Sequence, residues 1–342
     1  MDSTLVLVSG IILVALAFDF VNGFHDAANS IATVVATRVL SPPKAVLWAA
    51  TFNFIAVFSV GTGVASTVGS GMIDLKYVTP LVILAGLTGA ITWDLLTWWL
   101  GIPSSSSHAL IGGYAGAAMA RAARLRGLDH SFEVLIGAAW IKTLLFIVIA
   151  PLIGMFLAYT LMVAVHWIFR RARPDTMDKY FRRLQLASSA LLSFSHGAND
   201  AQKTAGIITG LLVTSGMLST FAVPKWVVLM AYAAISLGTL SGGWRIVHTM
   251  GSRLTRLRPR GGFCAETAAA LSILLATRLG LPISTTHVAA GSIAGVGAIQ
   301  RLKAVRWALA TNILWAWVLT IPASALVGWV TMEAIQLVAP GR

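Results

Sequence analysis

Long apolar runs, separated by short polar connectors, account for most of this chain. Several of them approach the roughly 20 residues that an α-helix needs to cross a bilayer. The runs span residues 5–21, 46–65, 78–100, 132–150, 152–169, 227–240 and 307–338. The pattern predicts an all-α polytopic membrane protein, for which we expect about ten crossings. The first run continues into further apolar chain, so we expect a membrane span there rather than a cleaved signal peptide.

The composition supports this interpretation. Of the 342 residues, 57% are hydrophobic and only 11% are charged, whereas about 25% are charged in soluble domains. The net charge of +13 does not indicate nucleic-acid binding, because the basic residues fall in short connectors without interleaved aromatic residues. Six of them lie in the central connector, residues 170–183, which the positive-inside rule predicts to be cytoplasmic.

A polar segment recurs in the two halves of the chain. Residues 23–30 read GFHDAANS, and residues 197–204 read GANDAQKT. The two segments align at an offset of 174, which pairs Asp26 with Asp200. Each segment interrupts apolar chain, so both aspartates are predicted to lie at membrane depth.

A proline motif recurs in the same order. Residues 101–116 read GIPSSSSHALIGGYAG and residues 280–295 read GLPISTTHVAAGSIAG, at an offset of 179. Two unrelated motifs repeated in one order at nearly one offset indicate an internal duplication. We therefore divide the chain into a first transmembrane repeat (1–169), the basic connector (170–183) and a second transmembrane repeat (184–342).

The connectors predict that the two repeats are inverted. Residues 66–77 contain one Lys and one Asp, whereas their counterpart, residues 241–262, contains five Arg. The positive-inside rule places these connectors on opposite sides of the membrane. Inverted repeats with polar interruptions at matching places are typical of secondary transporters, whose site lies at the repeat interface near the midplane.

The proline motifs predict broken helices that could hold an anion. In each motif Gly and Pro end one helix, hydroxyls follow, and an apolar helix restarts. The free N–H groups of a helix start carry partial positive charge and suit an anion. The alternative is that the hydroxyls only cap buried helix starts. Because the motif occurs twice, we favour an anion site with the hydroxyls of Ser105, Ser106, Ser107, Ser284, Thr285 and Thr286.

Acidic residues inside the apolar runs are the second candidate feature. An intramembrane carboxylate is costly unless it is paired, hydrated or protonated, so Asp26 and Asp200 are candidate site residues. Carboxylates could bind a co-transported Na⁺ or proton that offsets the charge of an anionic substrate. Asp19 and Asp94 have no acidic counterpart in the other half, which favours a packing role. We expect Glu266, beside a basic connector, to lie at the membrane interface.

Histidines near the acids raise the alternative of an intramembrane metalloenzyme, with His196 and Asp200 as ligands at i and i+4. Under the repeat, however, His25 pairs with Asn199 and His196 with Asn22, which a symmetric metal cage would not require. We therefore predict that the protein is not an enzyme. His108 and His287 do correspond, and two roles remain open for them: proton carriage, or capping and packing.

Phosphate fits these acids better than sulfate does. Hydrogen phosphate has P–OH groups that can donate to a carboxylate, whereas sulfate at neutral pH has none. A buried acceptor left without a donor costs about 1–3 kcal/mol. We therefore favour phosphate as the substrate, with a sulfate or other oxyanion permease as the alternative.

The paired segments resemble the GANDVANA-type signatures of the inorganic phosphate transporter family, and the two proline motifs resemble that family's P-x-S-[ST]-[ST]-H elements. The resemblance covers both halves of the chain. It implies a cation-coupled phosphate symporter built from inverted repeats with broken helices, working without a cofactor and often as a homodimer. Carried over by position, Asp26, Asn29, Asn199 and Asp200 would form the phosphate site and a Na⁺ site.

Two departures from the family pattern bear on the coupling ion. His25 stands where the signature usually has Asn, and Gln202 and Lys203 stand where it has Ala and Asn. Lys203 puts a fixed positive charge in place of a Na⁺ ligand, which resembles the bacterial low-affinity branch thought to use protons. The alternative for Lys203 is a side chain that extends to the membrane interface.

These features together predict the function. We expect proton-coupled phosphate symport by alternating access across the bacterial inner membrane. The residues expected to couple the cation are Asp26, Asn29, His108, Asp200, Lys203 and His287. Na⁺ coupling and a passive anion channel remain alternatives. The short central connector, unlike the long loop of eukaryotic members, favours a bacterial source.

Overall fold

A computed structural model describes residues 3–58, 61–300 and 306–338 of the protein. Within these residues the chain is helical and contains no β-strand. Twelve α-helices are described, joined by short turns. They are α1 (Ser3–Ala36), α2 (Pro42–Ile55), α3 (Gly63–Ser70), α4 (Pro80–Leu100), α5 (Ser106–Arg126), α6 (Gly137–Ile168), α7 (Pro174–Thr214), α8 (Lys225–Ser241), α9 (Trp244–His248), α10 (Pro259–Arg278), α11 (Thr285–Gln300) and α12 (Trp307–Val338).

Few of these helices are long and apolar throughout. In the described residues, α1, α4, α6 and α12 have the length and hydropathy of membrane spans, and two bent pairs, α2 with α3 and α8 with α9, raise the number to six. The sequence pattern suggested about ten crossings. The difference arises because several other helices are rich in small and polar residues, which lower their hydropathy. Their polar residues face the protein interior, where much of α5 and α10 is buried.

The prediction of separate apolar segments at 132–150 and 152–169 was wrong. One helix, α6, runs through Pro151 without a break. Proline removes only one helical N–H, and packing from neighbouring helices can offset that loss. Here Gly291 of α11 lies against the Pro151 carbonyl, where a Cβ atom would come within 2.4 Å of the carbonyl oxygen. The equivalent helix α12 likewise continues through Pro322.

The two repeats are inverted, as the connector charges predicted. Equivalent helices α1 and α7 carry the paired polar segments and run antiparallel to each other. At one end Thr37 donates to Gln185 (2.9 Å). At the other, Asp19 faces Thr204. The two helices therefore run in opposite directions. Asp26 and Asp200 lie between these two contacts.

The halves interlock rather than pack as separate bodies. The last helix of the first half, α6, packs on α10 and α11 of the second half, and α12 packs on α4 and α5 of the first. Helix α7 begins at Pro174, so much of the connector predicted at 170–183 is helical. The interior of the protein is thus shared between the repeats.

The outer surface carries large apolar side chains. Phe156 on α6 is 65% exposed and Leu326 on α12 is 64% exposed. A soluble protein would bury such residues, whereas lipid tails solvate them. The apolar exterior and polar interior fit a multi-pass membrane protein, with its ionisable groups turned toward the centre of the bundle.

Candidate substrate site

Two helical hairpins bring the proline motifs to the centre of the molecule. Helix α4 ends at Gly101 (φ 68°), and α10 ends just before Gly280 (φ 67°). This left-handed conformation is strained for residues with a Cβ atom, so glycine is favoured at both turns. The chain then crosses four or five residues in extended form before α5 and α11 begin, which confirms the broken helices that the sequence predicted.

Both new helices start with the same cap. The Ser105 hydroxyl accepts a hydrogen bond from the His108 amide at 3.2 Å, and the Ser284 hydroxyl accepts from the His287 amide at 3.2 Å. These two hydroxyls act as N-caps. The sequence had left open that all the hydroxyls of the motif only cap helix starts. Of the remaining four hydroxyls, Ser106, Thr285 and Thr286 donate to Asp26 or Asp200, and Ser107 accepts from Lys203. We call Asp26, Asp200 and Lys203 with these hydroxyls the acidic cluster.

Each hairpin turn is held by the opposite half of the protein. The Thr67 hydroxyl, from the first repeat, donates to the Gly280 carbonyl at 2.8 Å. The Thr249 hydroxyl, from the second repeat, donates to the Gly101 carbonyl at 2.9 Å. The same type of contact therefore occurs once at each turn, and each turn is positioned by a residue from the other repeat.

Asp26 links one helix start from each repeat. Its Oδ1 accepts from the Ser106 hydroxyl (3.3 Å), and its Oδ2 accepts from the Thr286 hydroxyl (3.2 Å). His25 Nδ1 lies 2.7 Å from Oδ1. A carboxylate inside the bundle thus has hydroxyl and imidazole partners in place of water.

Asp200 occupies the equivalent position in the second repeat. Its Oδ2 accepts from Thr285 (3.1 Å), which is the counterpart of the contact between Asp26 and Ser106. His196 Nε2 lies 3.2 Å from the same oxygen. Lys203 Nζ donates to Oδ1 at 2.5 Å.

The two carboxylates lie close together, as the repeat predicted. One oxygen of Asp26, one of Asp200 and a ring nitrogen of His196 all lie within 4.8 Å of one another. Oxygen donors of this kind suit Na⁺, although Lys203 already occupies Asp200 Oδ1. All thirteen residues that the sequence analysis singled out for phosphate or cation binding are at most 3% exposed, so the cluster is closed on both sides. They are Asp26, Asn29, Ser105, Ser106, Ser107, His108, Asn199, Asp200, Lys203, Ser284, Thr285, Thr286 and His287.

Lys203 does not reach the membrane interface, so that alternative was wrong. Its side chain is 1% exposed, and its ammonium donates to three oxygens at the centre of the protein. The partners are Asp200 Oδ1 (2.5 Å), the Ser107 hydroxyl (2.5 Å) and the Ile283 carbonyl (2.8 Å). Lysine three residues after Asp200 on one helix can fold back onto the carboxylate. The result is a fixed positive charge within the acidic cluster.

The two asparagines of the predicted site differ in position. Asn29 Nδ2 donates to Thr286 (3.0 Å) and Thr285 (3.3 Å), which places it in the cluster. Asn199 Nδ2 instead donates to Thr277 (2.8 Å) and the Leu281 carbonyl (3.2 Å). Asn199 therefore supports the turn of its own hairpin, while its Oδ1 is buried without a hydrogen-bond partner.

His108 and His287 pack against each other. Their rings lie 4.9 Å apart in an edge-to-face arrangement, and the His287 ring stacks on Trp317 at 3.8 Å. His287 also faces the carbonyl of Ile147, whose helical partner is missing because Pro151 has no N–H. Neither imidazole has a hydrogen bond to the acidic cluster among the described residues. Their geometry is that of packing residues at the junction of the repeats.

Glu266 is enclosed by protein, whereas the sequence suggested an exposed position at the membrane interface. It is fully buried on α10 and accepts hydrogen bonds from Thr33 (2.5 Å), Gln185 (2.8 Å) and Ser188 (2.5 Å). These donors come from α1 and α7, whose approach to α10 could not be read from local sequence. The carboxylate therefore joins both repeats at one end of the acidic cluster.

Sequence reasoning missed the residues that hold the acids in place. His25 contacts Asp26 through Nδ1 and Thr97 through Nε2 (3.1 Å). Asn199, which pairs with His25 under the repeat, contacts Thr277 near the equivalent turn of the second repeat. The repeat alignment paired His25 with Asn199, so it contained the signal. It gave no indication that both residues support hairpin turns. Their partners are threonines, and threonine is too common in membrane helices to stand out in the sequence.

Comparisons with known proteins agree with this geometry. A model of the phosphate transporter family matches residues 22–179 and, separately, residues 169–328. A probable low-affinity inorganic phosphate transporter of Rhizobium meliloti is 55% identical over 342 residues, covering 99% of this chain and 100% of the relative. A protein of the same description from Bacillus subtilis is 42% identical over 341 residues, again covering 99% and 100%.

A solved structure has the same fold. The structure described as the sodium-dependent phosphate transporter superposes with a TM-score of 0.84, covering 97% of this chain and 100% of its own, at 23% identity. Together, the two matches to the family model cover most of the chain. This chain belongs to the phosphate transporter family.

Proposed function

We propose that this protein carries inorganic phosphate across the bacterial inner membrane together with a cation, with a proton favoured over Na⁺. The observation that carries the proposal is the meeting of Asp26 and Asp200 between two facing helix starts, one from each repeat. The family assignment and the names of the bacterial relatives support phosphate as the substrate.

The helix starts supply the attraction for the anion. Two hairpins bring the first turns of α5 and α11 to one place, each with partial positive charge and hydroxyl donors. In the closed arrangement these hydroxyls contact the acids. Phosphate entry requires them to turn toward the substrate, so the acids and the substrate compete for the same donors.

The acids select a protonated oxyanion. When hydroxyls turn to phosphate, Asp26 and Asp200 are left as acceptors, and a P–OH group can replace the lost donors. Sulfate cannot do so, and its binding would leave a buried acceptor unpaired at about 1–3 kcal/mol. This favours hydrogen phosphate and dihydrogen phosphate over sulfate.

Lys203 favours a proton as the coupling ion. Its ammonium contacts Asp200 Oδ1, so one of the two Asp200 oxygens is already paired with a cation. A fixed cation there reduces the attraction for a second metal cation. The solved relative is described as sodium-dependent, so Na⁺ coupling is the second candidate.

Alternating access follows from the inverted architecture. Inverted repeats allow two conformations of similar energy, in which the helices of the two halves exchange roles and the site opens to opposite sides. Cation and anion each reduce the electrostatic cost of burying the other. The empty carrier and the fully loaded carrier therefore reorient more easily than a partly loaded one, and that difference produces symport.

Uptake by purified protein in proteoliposomes tests the proposal. Labelled phosphate is added with an imposed inward proton gradient, with an inward Na⁺ gradient, or with neither. We expect accumulation above equilibrium with the proton gradient. Uptake that only equilibrates phosphate, and is unchanged when ionophores collapse both gradients, would contradict coupling and favour a channel. Hydrolysis of phosphoesters by the detergent-solubilised protein would favour an enzyme.

Two further parts of the proposal need separate measurements. We propose a homodimer, which mass photometry of the solubilised protein checks. We also propose that the connector at 170–183 is cytoplasmic. Lys179→Cys in a Cys264→Ala background provides a single exposed thiol, which an impermeant maleimide should label only in inside-out vesicles.

A further inference from the structure

Asp19, on α1, is a buried carboxylate that the substrate site does not use. Its side chain is fully buried, and among the described residues none places a hydrogen-bond donor within bonding distance of either oxygen. Rising by about 1.5 Å per residue, the helix places it about 10 Å along its axis from Asp26, two turns away. A carboxylate that is buried without a hydrogen-bond donor from the protein needs a cation or a proton to offset its charge.

Two other polar side chains lie beside Asp19 and also have unpaired oxygens. They are Asn22, one turn along α1, and Thr204 on α7. Asn22 is 2% exposed and Thr204 is fully buried. Neither Asn22 Oδ1 nor Thr204 Oγ1 has a hydrogen-bond partner. Buried polar atoms are rarely left unpaired in proteins, so this group of four oxygens indicates a ligand that binds between them.

The second repeat does not reproduce this group. The offset of 174 pairs Asp19 with Ser193 and Thr204 with Ser30. Ser193 donates to the Ser189 carbonyl at 2.8 Å, as serine commonly does within a helix. A requirement of the fold alone would be expected in both halves, since the surrounding helices are equivalent. This group of side chains around Asp19 is therefore not a general requirement of the repeat fold.

The charged and titratable groups that face Asp19 connect it to the substrate site. They are Asp200 and Lys203 from α7, and Tyr232 from α8. Lys203 in turn holds Asp200 and Ser107, which belong to the predicted anion site. The charge at Asp19 therefore acts on the groups that receive phosphate, without Asp19 contacting them.

We propose that Asp19, Asn22 and Thr204 form the binding site of the coupling cation, a monovalent ion held by oxygen atoms outside the phosphate site. The inference rests on the proposed symport. A single carboxylate with an amide oxygen and a hydroxyl matches one positive charge, carried by a proton or by Na⁺. The fixed positive charge of Lys203 beside Asp200 disfavours a second cation at the acids, so we place the travelling cation two turns away.

This arrangement couples the two ions electrostatically. Cation binding at Asp19 removes a negative charge near Asp200 and Lys203, which makes phosphate binding more favourable. By reciprocity, bound phosphate increases the affinity for the cation. Neutralising Asp19 permanently should therefore preserve phosphate binding and exchange, but separate transport from the cation gradient.

Asp19→Asn in proteoliposomes tests the site with two measurements. The first is counterflow, in which labelled phosphate exchanges with unlabelled phosphate without any gradient. The second is accumulation driven by an imposed proton gradient or, separately, by a Na⁺ gradient. We expect counterflow within about twofold of wild type and a loss of gradient-driven accumulation. The gradient that drives wild type and fails to drive the variant identifies the ion.

The repeat supplies matched controls. Ser193→Ala and Ser30→Ala change the equivalent positions in the other half, and both should retain accumulation. Thr204→Val removes one oxygen from the proposed site while keeping a similar shape. It should raise the cation concentration needed for half-maximal uptake by about tenfold, which is the effect of one lost hydrogen-bonding group. This variant carries the test if Asp19→Asn is not recovered as folded protein.

Two results would overturn the inference. One is gradient-driven accumulation by Asp19→Asn at the wild-type level. The other is equal loss of counterflow and accumulation in folded Asp19→Asn, which would make Asp19 part of the phosphate site. If wild-type protein itself accumulates no phosphate with either gradient, the proposed symport fails instead, so the two failures are distinguishable.

Discussion

The ammonium of Lys203 lies 2.5 Å from Oδ1 of Asp200, and both side chains are buried at the centre of the bundle. The pair lies one turn apart on α7 and contacts both hairpins, through Ser107 of the first and Thr285 of the second. A fixed ion pair therefore occupies the junction of the inverted repeats, and Asp26, the equivalent of Asp200, has hydroxyl and imidazole partners instead. Mutations of these three residues should have different consequences.

Asp200→Asn should abolish phosphate uptake and destabilise the protein. It leaves the Lys203 ammonium buried without its carboxylate, which costs about 3–5 kcal/mol. The thermal unfolding midpoint of the purified variant should fall clearly below that of wild type. Adding Lys203→Gln should recover much of the stability but not the uptake. Robust transport by Asp200→Asn would remove Asp200 from the site.

Asp26→Asn should abolish uptake with a smaller loss of stability. The amide oxygen can still accept from one of the Ser106 and Thr286 hydroxyls, and the amide N–H can donate to the other. No buried cation loses its only carboxylate. Uptake in proteoliposomes and thermal unfolding of the same preparation separate the two effects. Uptake near the wild-type level would show that the pair of acids is not required.

Lys203→Asn should increase the dependence of uptake on Na⁺. Removing the fixed charge frees Asp200 Oδ1, and the new amide oxygen adds a ligand for a metal cation. Phosphate uptake by the variant is measured with NaCl or choline chloride. Lys225→Asn, at an exposed position on α8, is the matched control. An unchanged cation preference would contradict the role assigned to Lys203.

Thr286→Val should weaken phosphate transport while preserving the fold. The Thr286 hydroxyl joins Asp26 to Asn29, and valine keeps its shape without the oxygen. Losing one hydrogen-bonding group of about 1–1.5 kcal/mol predicts a rise in KM for phosphate of roughly tenfold. Thr160→Val changes a threonine on the exposed face of α6 that bonds only to its own helix, and should leave KM unchanged.

Sulfate should compete poorly with phosphate. An unpaired buried acceptor costs about 1–3 kcal/mol, so we expect phosphate to be favoured over sulfate by roughly 5-fold to 150-fold. Uptake of labelled phosphate is measured against increasing sulfate, with arsenate as the control because it carries the same protonated oxygens. Inhibition by sulfate as strong as that by arsenate would remove the basis for the selectivity argument.

The sequence located the centre of the site because the repeat constrained it twice. The offset of 174 paired Asp26 with Asp200, and the offset of 179 paired the two hairpin turns. Inversion then brings paired residues together, without any knowledge of helix packing. The fold class followed from the length of the apolar runs and from this pairing.

The errors came from contacts that the local sequence does not contain. Glu266 follows a basic connector, and Lys203 could have extended to the interface. Both are buried because distant helices supply polar partners. From the first repeat, Thr33 donates to Glu266 and Ser107 accepts from Lys203. Pro151 suggested a break, but packing against α11 keeps α6 continuous. Local patterns define the apolar and polar segments, whereas tertiary partners decide whether a charge can be buried.

The contacts between each hairpin turn and the opposite repeat couple the movements of the two hairpins. Since Thr67 holds the turn at Gly280 and Thr249 holds the turn at Gly101, movement of either hairpin displaces chain from the opposite repeat. The site is therefore expected to open to one side of the membrane at a time. Such coupling should prevent a continuous aqueous pore, through which ions would cross the membrane without phosphate.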